Sequence, residues 1–236
     1  MIFRPTLWAT VATAIVLAVL LGLGTWQLDR LVWKQQVLEM RAQRIIAPAL
    51  ALADIGGDAE PGIYEYRPIR LTGRFDGSRS LKLISRTRAG RVGYHVVTPL
   101  AADGGVTVMV DRGWVPVEGK VDVVAAPPGL VSVEGYVRAF ETPGPFTPDN
   151  NPETGDWFYF DRAEMAAAAG LDTVAPFYVQ QAPGAAPPGL YPAGGAPNIA
   201  LRNPHLQYAL TWYALAVALL VIYVVFHTRR RVGEDE

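Results

Sequence analysis

Two segments without charged side chains, one near each end, constrain the possible folds of this chain more than any other feature. No Asp, Glu, Lys or Arg occurs in residues 5–28 or in residues 203–228. Each segment exceeds the roughly 20 apolar residues that cross a hydrocarbon core of about 30 Å. Only 18% of all residues are charged, which is low for a soluble domain. The sequence therefore predicts a membrane protein with transmembrane helices over 5–28 and 203–228.

The first segment could instead be a secretory signal peptide. Its apolar run is longer than the roughly 7–15 residues of a signal h-region, and no A-x-A-like cleavage site follows it. The chain continues with the bulky sequence GTWQLDRLVWK, so we expect an uncleaved anchor. Apolar residues recur at helical spacing until Pro48, which predicts a juxtamembrane helical extension over 29–47.

The distribution of positive charge predicts on which side of the membrane both termini lie. Three arginines follow the second span at 229–231, whereas only Arg202 precedes it. Charges around the first span favour the opposite orientation, but long translocated domains follow charge poorly. We expect cytoplasmic termini, a cytoplasmic tail over 229–236 and an extracytoplasmic central domain. Because the first span starts near Thr6 and leaves no room for a mitochondrial presequence, the expected membrane is the bacterial plasma membrane.

Between the spans, the hydrophobic period changes from 3.6 to 2, which is typical of half-buried strands. Alternating segments cover 66–76, 80–85 and 130–140. The clearest hairpin joins 93–100 to 106–117 through a turn that contains Asp-Gly, a strong turn signal.

One helix is expected to interrupt these strands, near 161–169. Asp161 and Glu164 fit a capping box, and Gly170 fits the position after a helix end. The predicted fold class is a membrane protein in which two transmembrane helices flank an antiparallel β-rich α+β domain over 60–181. A Pro- and Gly-rich segment over 182–202 is expected to be a linker.

Composition excludes several classes of function. The chain has no cysteine, which excludes covalent c-type haem attachment, thiolate copper transfer, disulfides and redox-active dithiols. The net charge of −1 gives no support for nucleic-acid binding. The sequence also lacks the nucleophile-elbow, zinc-protease, phosphate-loop and dinucleotide motifs.

Two further patterns in the central domain have structural explanations. Ser85, His95 and Asp111 could form a hydrolytic triad, but their spacing does not support one, and a histidine on a strand is more often structural. The sequence Asp-Arg-Gly-Trp at 111–114 could form a binding site. The residues alone favour a turn at a strand end, with Arg112 paired locally.

His205 opens the second span and is its most informative residue. Asn203 suits the N-cap and Pro204 suits the first helical position, so His205 lies in the first turn. Tyr208 and Trp212 share its face, because steps of three and seven residues return to the same side of a helix. The positive end of the helix dipole disfavours the imidazolium form, and the neutral imidazole is the form that binds metals.

The residues alone leave two interpretations of His205 open. Trp and Tyr gather at membrane interfaces as anchors, and a histidine among them needs no ligand; this interpretation is the favoured one. Alternatively, His205 ligates a metal or a haem. His227 lies about 33 Å further along the helix axis, so the two histidines of one chain cannot hold the same cofactor.

Three motifs together resemble the surfeit-locus protein 1 family of cytochrome c oxidase assembly factors. They are LGLGTWQLDRLVWK, VDRGWVP and NPHLQYALTWY, in this order between and within the two spans. The resemblance covers essentially the whole chain. The matching residues are Gly24, Trp26, Gln27, Arg30 and Lys34 in the first motif, Arg112, Gly113 and Trp114 in the second, and His205 in the third.

The resemblance implies a chaperone that carries haem a and helps to load the catalytic subunit of an aa3-type oxidase, with haem a synthase as a further partner and membrane lipid around it. It implies that His205 is the candidate iron ligand and that the protein is not an enzyme. Tyr208 and Trp212, which share the helix face of His205, are the residues expected to flank the macrocycle. Two alternatives remain: an extracytoplasmic scaffold that stabilises oxidase subunits without touching haem, and a membrane-tethered enzyme with its active site in the β domain.

Overall fold

The chain forms two compact units. The computed structural model describes residues 2–3, 5–55, 60–119, 121, 123–184, 186–187 and 189–229. The first unit, here called the helix pair, combines the described residues of Met1–Met40 with those of Ile199–Glu236. The second unit, here called the barrel unit, is formed by Arg41–Asn198.

The helices and strands are numbered separately in chain order. The helices are α1 (Leu7–Ile45), α2 (Pro61–Tyr64), α3 (Arg162–Ala168) and α4 (His205–His227). The strands are β1 (Ile2–Phe3), β2 (Leu50–Ala51), β3 (Pro68–Phe75), β4 (Leu81–Arg88), β5 (Arg91–Ala102), β6 (Thr107–Pro116), β7 (Val131–Ala139), β8 (Phe177–Gln181) and β9 (Thr228–Arg229).

Both α1 and α4 are long and apolar enough to cross a membrane. Their large apolar side chains point mostly outward: Leu7 is 83% exposed and Phe226 is 69% exposed. A soluble helix would bury such a face, so these surfaces suit contact with lipid. The first span and its extension form one uninterrupted helix, which ends at Ile45, shortly before Pro48, because a residue that precedes proline disfavours the helical conformation.

The two helices of the helix pair run antiparallel and approach closely through small residues. Ala9, Gly24, Ala209 and Ala216 are the buried members of this set. A side-chain carbon at Gly24 would come within 2.7 Å of the Tyr213 ring. Small residues that let backbones approach are the usual means of helix association in membranes.

The barrel unit contains a closed ring of strands rather than an open sheet. The strand order is β2-β3-β7-β8-β6-β5-β4, and a further pairing of β3 with β5 closes β3, β7, β8, β6 and β5 into a ring. Closure occurs at Gly73, where a side chain would collide with the Ala101 carbonyl. Glycine is common at such corners because no side chain blocks the neighbouring backbone.

The predicted fold class is confirmed, but the sheet is mixed rather than purely antiparallel. Strands β6 and β8 are parallel, as are β2 and β3. Five strands cannot alternate in direction all the way around a closed ring, so at least one neighbouring pair must be parallel. The expected antiparallel pattern was wrong at these pairs, because local alternation of side chains carries no information on ring closure.

The apolar core of the barrel unit has two parts. One lies within the ring and takes residues from all five of its strands, including Leu71, Val110, Val133 and Val179. The other combines residues of β4, β5, β6 and β8 with α3. Alternate residues of β6 enter different parts, as expected for a strand buried on both faces.

The predicted hairpin and the predicted central helix are both confirmed. β5 and β6 pair antiparallel, with a turn in which Gly104 and Gly105 have positive φ. The Asp161 carboxylate accepts a hydrogen bond from the Glu164 backbone N–H at 2.9 Å. Gly170 has φ +62° just after the end of α3, which matches its predicted role as the stop signal.

Part of the 182–202 segment packs on the barrel. Ala193 and Trp114 exchange backbone hydrogen bonds of 2.9 and 3.1 Å, and Tyr191 accepts one from Val124. The barrel unit extends to Asn198. Of the predicted cytoplasmic tail over 229–236, only Arg229 is among the described residues; Arg230 and Arg231, which orient the second span in our prediction, lie outside them.

Candidate functional site

The helix α4 begins one residue later than the sequence indicated. Pro204 occupies the N-cap, and His205 is the first helical residue. The Asn203 side chain does not cap α4; its amide nitrogen instead lies 3.5 Å from the Leu31 carbonyl oxygen of α1. His205 therefore remains in the first turn, as predicted, but Asn203, two residues before it, is joined to the other helix.

The half-buried His205 ring is bound to α1 through one nitrogen only. Its Nδ1 lies 2.6 Å from the side-chain oxygen of Gln27. Because an amide oxygen can only accept a hydrogen bond, Nδ1 must carry the proton and donate it. The other nitrogen, Nε2, is buried and has no hydrogen-bond partner among the described residues.

This arrangement leaves a lone pair without an interaction. A neutral imidazole protonated on Nδ1 presents an unprotonated Nε2, which is the form that ligates metals. A buried polar atom without a partner costs about 1–3 kcal/mol, and coordination of a metal would recover that cost. The surroundings of His205 therefore fit a metal that takes a single histidine ligand from the protein.

The part of the chain that the structure describes places no metal centre built from several protein ligands at His205. Among the described residues, no group of three or more His, Cys, Asp or Glu could hold a metal ion. A metal that arrives with most of its ligands in place needs only one from the protein. Haem iron is such a metal, because the porphyrin supplies the equatorial nitrogens and the protein supplies an axial ligand.

Tyr208 and Trp212 lie on α4 three and seven residues beyond His205. Tyr208 is 51% exposed and Trp212 is partly exposed. Helical spacing places both on the side of His205, so they are available to a bound planar molecule. Their contact with one stays a prediction.

Two cations of α1 surround this end of the helix pair. Lys34 donates a hydrogen bond of 2.8 Å to the Arg202 carbonyl, and the Arg30 guanidinium lies over the Trp33 ring at 4.6 Å. The positive charges of Lys34 and Arg30 lie close enough to the His205 ring to interact with it electrostatically. Positive charge at this place suits a ligand that carries carboxylates.

At the opposite end of α4, His227 is fully partnered. Its Nδ1 lies 2.8 Å from the Tyr223 carbonyl oxygen, and its Nε2 lies 3.2 Å from the Thr6 hydroxyl. The residue is 4% exposed. Because the carbonyl must accept, Nδ1 is the protonated nitrogen and Nε2 accepts from Thr6. Both nitrogens are thus occupied, which fits a structural role.

The central motif forms a second polar cluster, within the barrel unit. The Asp111 carboxylate is 3% exposed and lies 2.8 and 2.9 Å from Nδ1 of His95. It also accepts a hydrogen bond from the Gly113 N–H. Ser85 is not among the described hydrogen-bond partners of this pair. The structure therefore joins two members of the considered triad without the nucleophile.

The remaining residues of the central motif bind the backbone around them. Arg112 donates to the Val124 and Ala125 carbonyls, and burial lowers the pKa of its guanidinium. Gly113 has φ +124°, and a side chain there would collide with Ala193. A cleft of about 340 Å³ lies beside His95 and Trp114. The motif lies inside β6, where Arg112 is the extra residue of a β-bulge against β5. The expected turn at a strand end was therefore wrong, because the strand continues to Pro116, although the backbone contacts of Arg112 fit a structural role.

Sequence reasoning named Gln27 as a motif residue but did not predict its role beside His205. It belongs to the first motif, but its pairing with His205 joins positions 178 residues apart. A polar amide at the end of an apolar span was the available signal, because such residues usually face a partner.

Comparison with known proteins gives a consistent result. A sequence model of the SURF1 family matches residues 14–217. The chain is 37% identical over 228 residues to Surfeit locus protein 1 of Mus musculus, covering 89% of this chain and 72% of the relative. It is 35% identical to Surfeit locus protein 1 of Homo sapiens over 226 residues, covering 84% and 70%. It is 31% identical to a SURF1-like protein of Monosiga brevicollis over 246 residues, covering 96% and 88%.

Proposed function

The chain belongs to the SURF1 family, and from that membership we propose that it is an assembly factor for an aa3-type cytochrome c oxidase. It binds haem a and assists insertion of this cofactor into the catalytic subunit. Its partners are the catalytic subunit and haem a synthase, and it catalyses no reaction itself. The matched region contains Gln27, Gly113 and His205, one residue from each of the three motifs that carry the resemblance.

The observation that carries this proposal is the unpartnered Nε2 of His205. Gln27 occupies the other ring nitrogen, so the lone pair that remains is available to iron. One axial ligand is sufficient for haem, and histidine is the commonest one. A carrier must also release its cargo, which is easier from one protein ligand than from several.

The other residues of this end have positioning roles in the proposal. Tyr208 and Trp212 offer aromatic faces to the macrocycle on the side of His205. Lys34 and Arg30 supply positive charge for the carboxylates of haem a. The hydrogen bonds that tie Arg202 and Asn203 to α1 help to hold the imidazole at a fixed place.

The proposed setting is the bacterial plasma membrane, with both termini in the cytoplasm and the barrel unit outside. The arginines at 229–231 support this orientation. His205 then lies at the outer surface of the membrane, where the protein receives haem a and passes it on.

The test is the absorption spectrum of the detergent-purified full chain after co-expression with the enzymes of haem a synthesis. We expect a Soret band in the wild-type protein and its loss in His205→Ala. Oxidase from cells with this variant should be deficient in haem a. The variant should still insert, because the apolar residues of α4 are unchanged.

His227→Ala is the matched control and should retain the Soret band. Equal haem content in the wild-type protein and His205→Ala would contradict the proposal. A scaffold that stabilises oxidase subunits without binding haem would then be the better explanation of the family membership.

A further inference from the structure

The hydrogen bond between Gln27 and His205 is short, and two further contacts between the helices lie beside it. At 2.6 Å it is below the usual N–H···O distance of about 2.9–3.0 Å. Beyond it on α1, the Leu31 carbonyl faces the Asn203 amide, and Lys34 binds the Arg202 carbonyl. The residues just before His205 are therefore tied to the same helix that carries Gln27.

These contacts fix the imidazole before any ligand arrives. Rotation of the ring would break the bond to Gln27 and place an N–H where no acceptor is described. The amide oxygen thus selects one tautomer and one ring orientation, and it directs Nε2 away from α1. Metal-binding histidines nearly always have such a partner on the second nitrogen.

We infer that Gln27 is a positioning residue that sets how tightly His205 holds its cargo; this inference rests on the function proposed above. A carboxylate partner would draw the Nδ1 proton more strongly and make Nε2 a stronger donor to iron. Gln27 has the same reach as glutamate but no charge. The neutral amide therefore orients the ligand fully while keeping the bond to iron weak enough for transfer.

A packing role of Gln27 and a tuning role of Gln27 lead to different expected results. If the bond only joined the helices, loss of it would weaken the helix pair without changing the donor strength of His205. If Gln27 tunes the ligand, removal and charging of its side chain must shift the iron–histidine bond in opposite directions.

The experiment uses the full-length protein in detergent with haemin as the probe. The variants are Gln27→Leu, which removes the acceptor, and Gln27→Glu, which keeps it and adds charge. Gln207→Leu is the control, because it makes the same substitution at an exposed position of α4 near His205. Three quantities are measured: the dissociation constant, the iron–histidine stretching frequency of the reduced form, and the rate of haemin transfer to apomyoglobin.

We expect Gln27→Leu to weaken haemin binding about 10-fold and to lower the stretching frequency. Gln27→Glu should restore tight binding, raise the frequency above the wild-type value and slow transfer. Gln207→Leu should match the wild-type protein. In the ligand-free protein, ¹⁵N spectra of labelled histidines should show loss of the Nδ1-protonated form of His205 in Gln27→Leu only.

Wild-type binding, frequency and transfer in both Gln27 variants, with haemin lost from His205→Ala, would overturn the inference and leave the proposed function intact. Equal haemin uptake by the wild-type protein and His205→Ala would instead contradict both. Where Gln27→Leu fails to fold, Gln27→Glu carries the test, since it retains an acceptor oxygen of the same length.

Discussion

The two histidines of α4 are the same residue type on one helix, yet their surroundings differ in one decisive respect. His205 has one ring nitrogen bound to Gln27 and one buried nitrogen without a described partner. His227 has both nitrogens bound, to Tyr223 and to Thr6. The two rings therefore differ at Nε2, which pairs with Thr6 in His227 and has no described partner in His205.

The surroundings also differ in their aromatic contacts. Around His227, the rings of Phe3, Tyr223 and Phe226 lie within 6 Å of the imidazole, and the strands β1 and β9 pair beside it. His205 has no such ring cluster among the described contacts, and Tyr208, three residues further on α4, is 51% exposed. One end of the helix pair is thus a closed aromatic cluster, whereas the other carries exposed side chains.

The sharpest way to break this comparison is to remove each ring and supply free imidazole. His205→Gly should weaken haemin binding more than about 100-fold, since loss of a direct ligand exceeds the roughly 10–100-fold effect of its supporting partners. Millimolar imidazole should restore the Soret band. His227→Gly should keep its affinity within about threefold and gain nothing from imidazole. Equal haemin affinity in His205→Gly and His227→Gly would remove the distinction between the two ends.

The second prediction concerns stability, to which we expect His227 to contribute more than His205. His227→Ala leaves the Thr6 hydroxyl and the Tyr223 carbonyl without their partner and opens a cavity, so we expect the helix pair to lose about 2–3 kcal/mol. His205→Ala leaves the oxygen of the partly exposed Gln27 without its donor but also removes an unsatisfied nitrogen, so we expect the two effects to offset and the cost to stay below about 1 kcal/mol. Equilibrium unfolding in mixed micelles of increasing SDS content measures both. A larger loss in His205→Ala would mean that its ring is the structural one.

A third prediction tests whether close packing of the two helices supports the His205 end. Gly24→Ala places a carbon against the Tyr213 ring, which must move and give up its contact with the Thr25 hydroxyl at 3.3 Å. Overpacking of this kind costs about 1–3 kcal/mol. Gly24 lies one turn before Gln27, so haemin affinity should fall as well. Gly22→Ala is the control, since nothing lies near its added carbon and neither quantity should change.

The smallest expected effect is at the closed end. Tyr223→Phe removes the hydrogen bond of 2.6 Å between the Tyr223 and Thr10 hydroxyls. Bonds of this type between membrane helices average about 0.6 kcal/mol. The same unfolding assay should detect this loss, while haemin affinity stays unchanged. A change in haemin affinity would show that the two ends are coupled through α4.

The sequence predicted the elements of the fold whose causes are local. Absence of charge marked both spans, Asp-Gly marked the β5–β6 turn, and Asp161 with Gly170 marked the limits of α3. The insertion of β8 between β7 and β6 was not predictable, because a strand's alternation does not indicate its neighbours. The cap of α4 was misplaced for a related reason: Asn203 bonds to α1, and local propensity cannot foresee a competing tertiary partner.

The candidate site divides in the same way. The helical position of His205 and the face it shares with Tyr208 follow from spacing alone. Nε2 is the unprotonated nitrogen because Nδ1 donates to Gln27, a residue near the other end of the chain. A contact between such distant positions has no local signature, and the motif resemblance named both residues without relating them.

The pairing of the first helix with the last has a consequence for biogenesis. Gln27 and His205 are 178 residues apart, and at roughly 5–20 residues per second synthesis takes about 10–35 seconds to pass from one to the other. During that interval α1 is in the membrane without α4, and the barrel unit can fold. The histidine and the amide can meet only after α4 has been synthesised. A chain that is terminated before α4 therefore never forms the contact between Gln27 and His205.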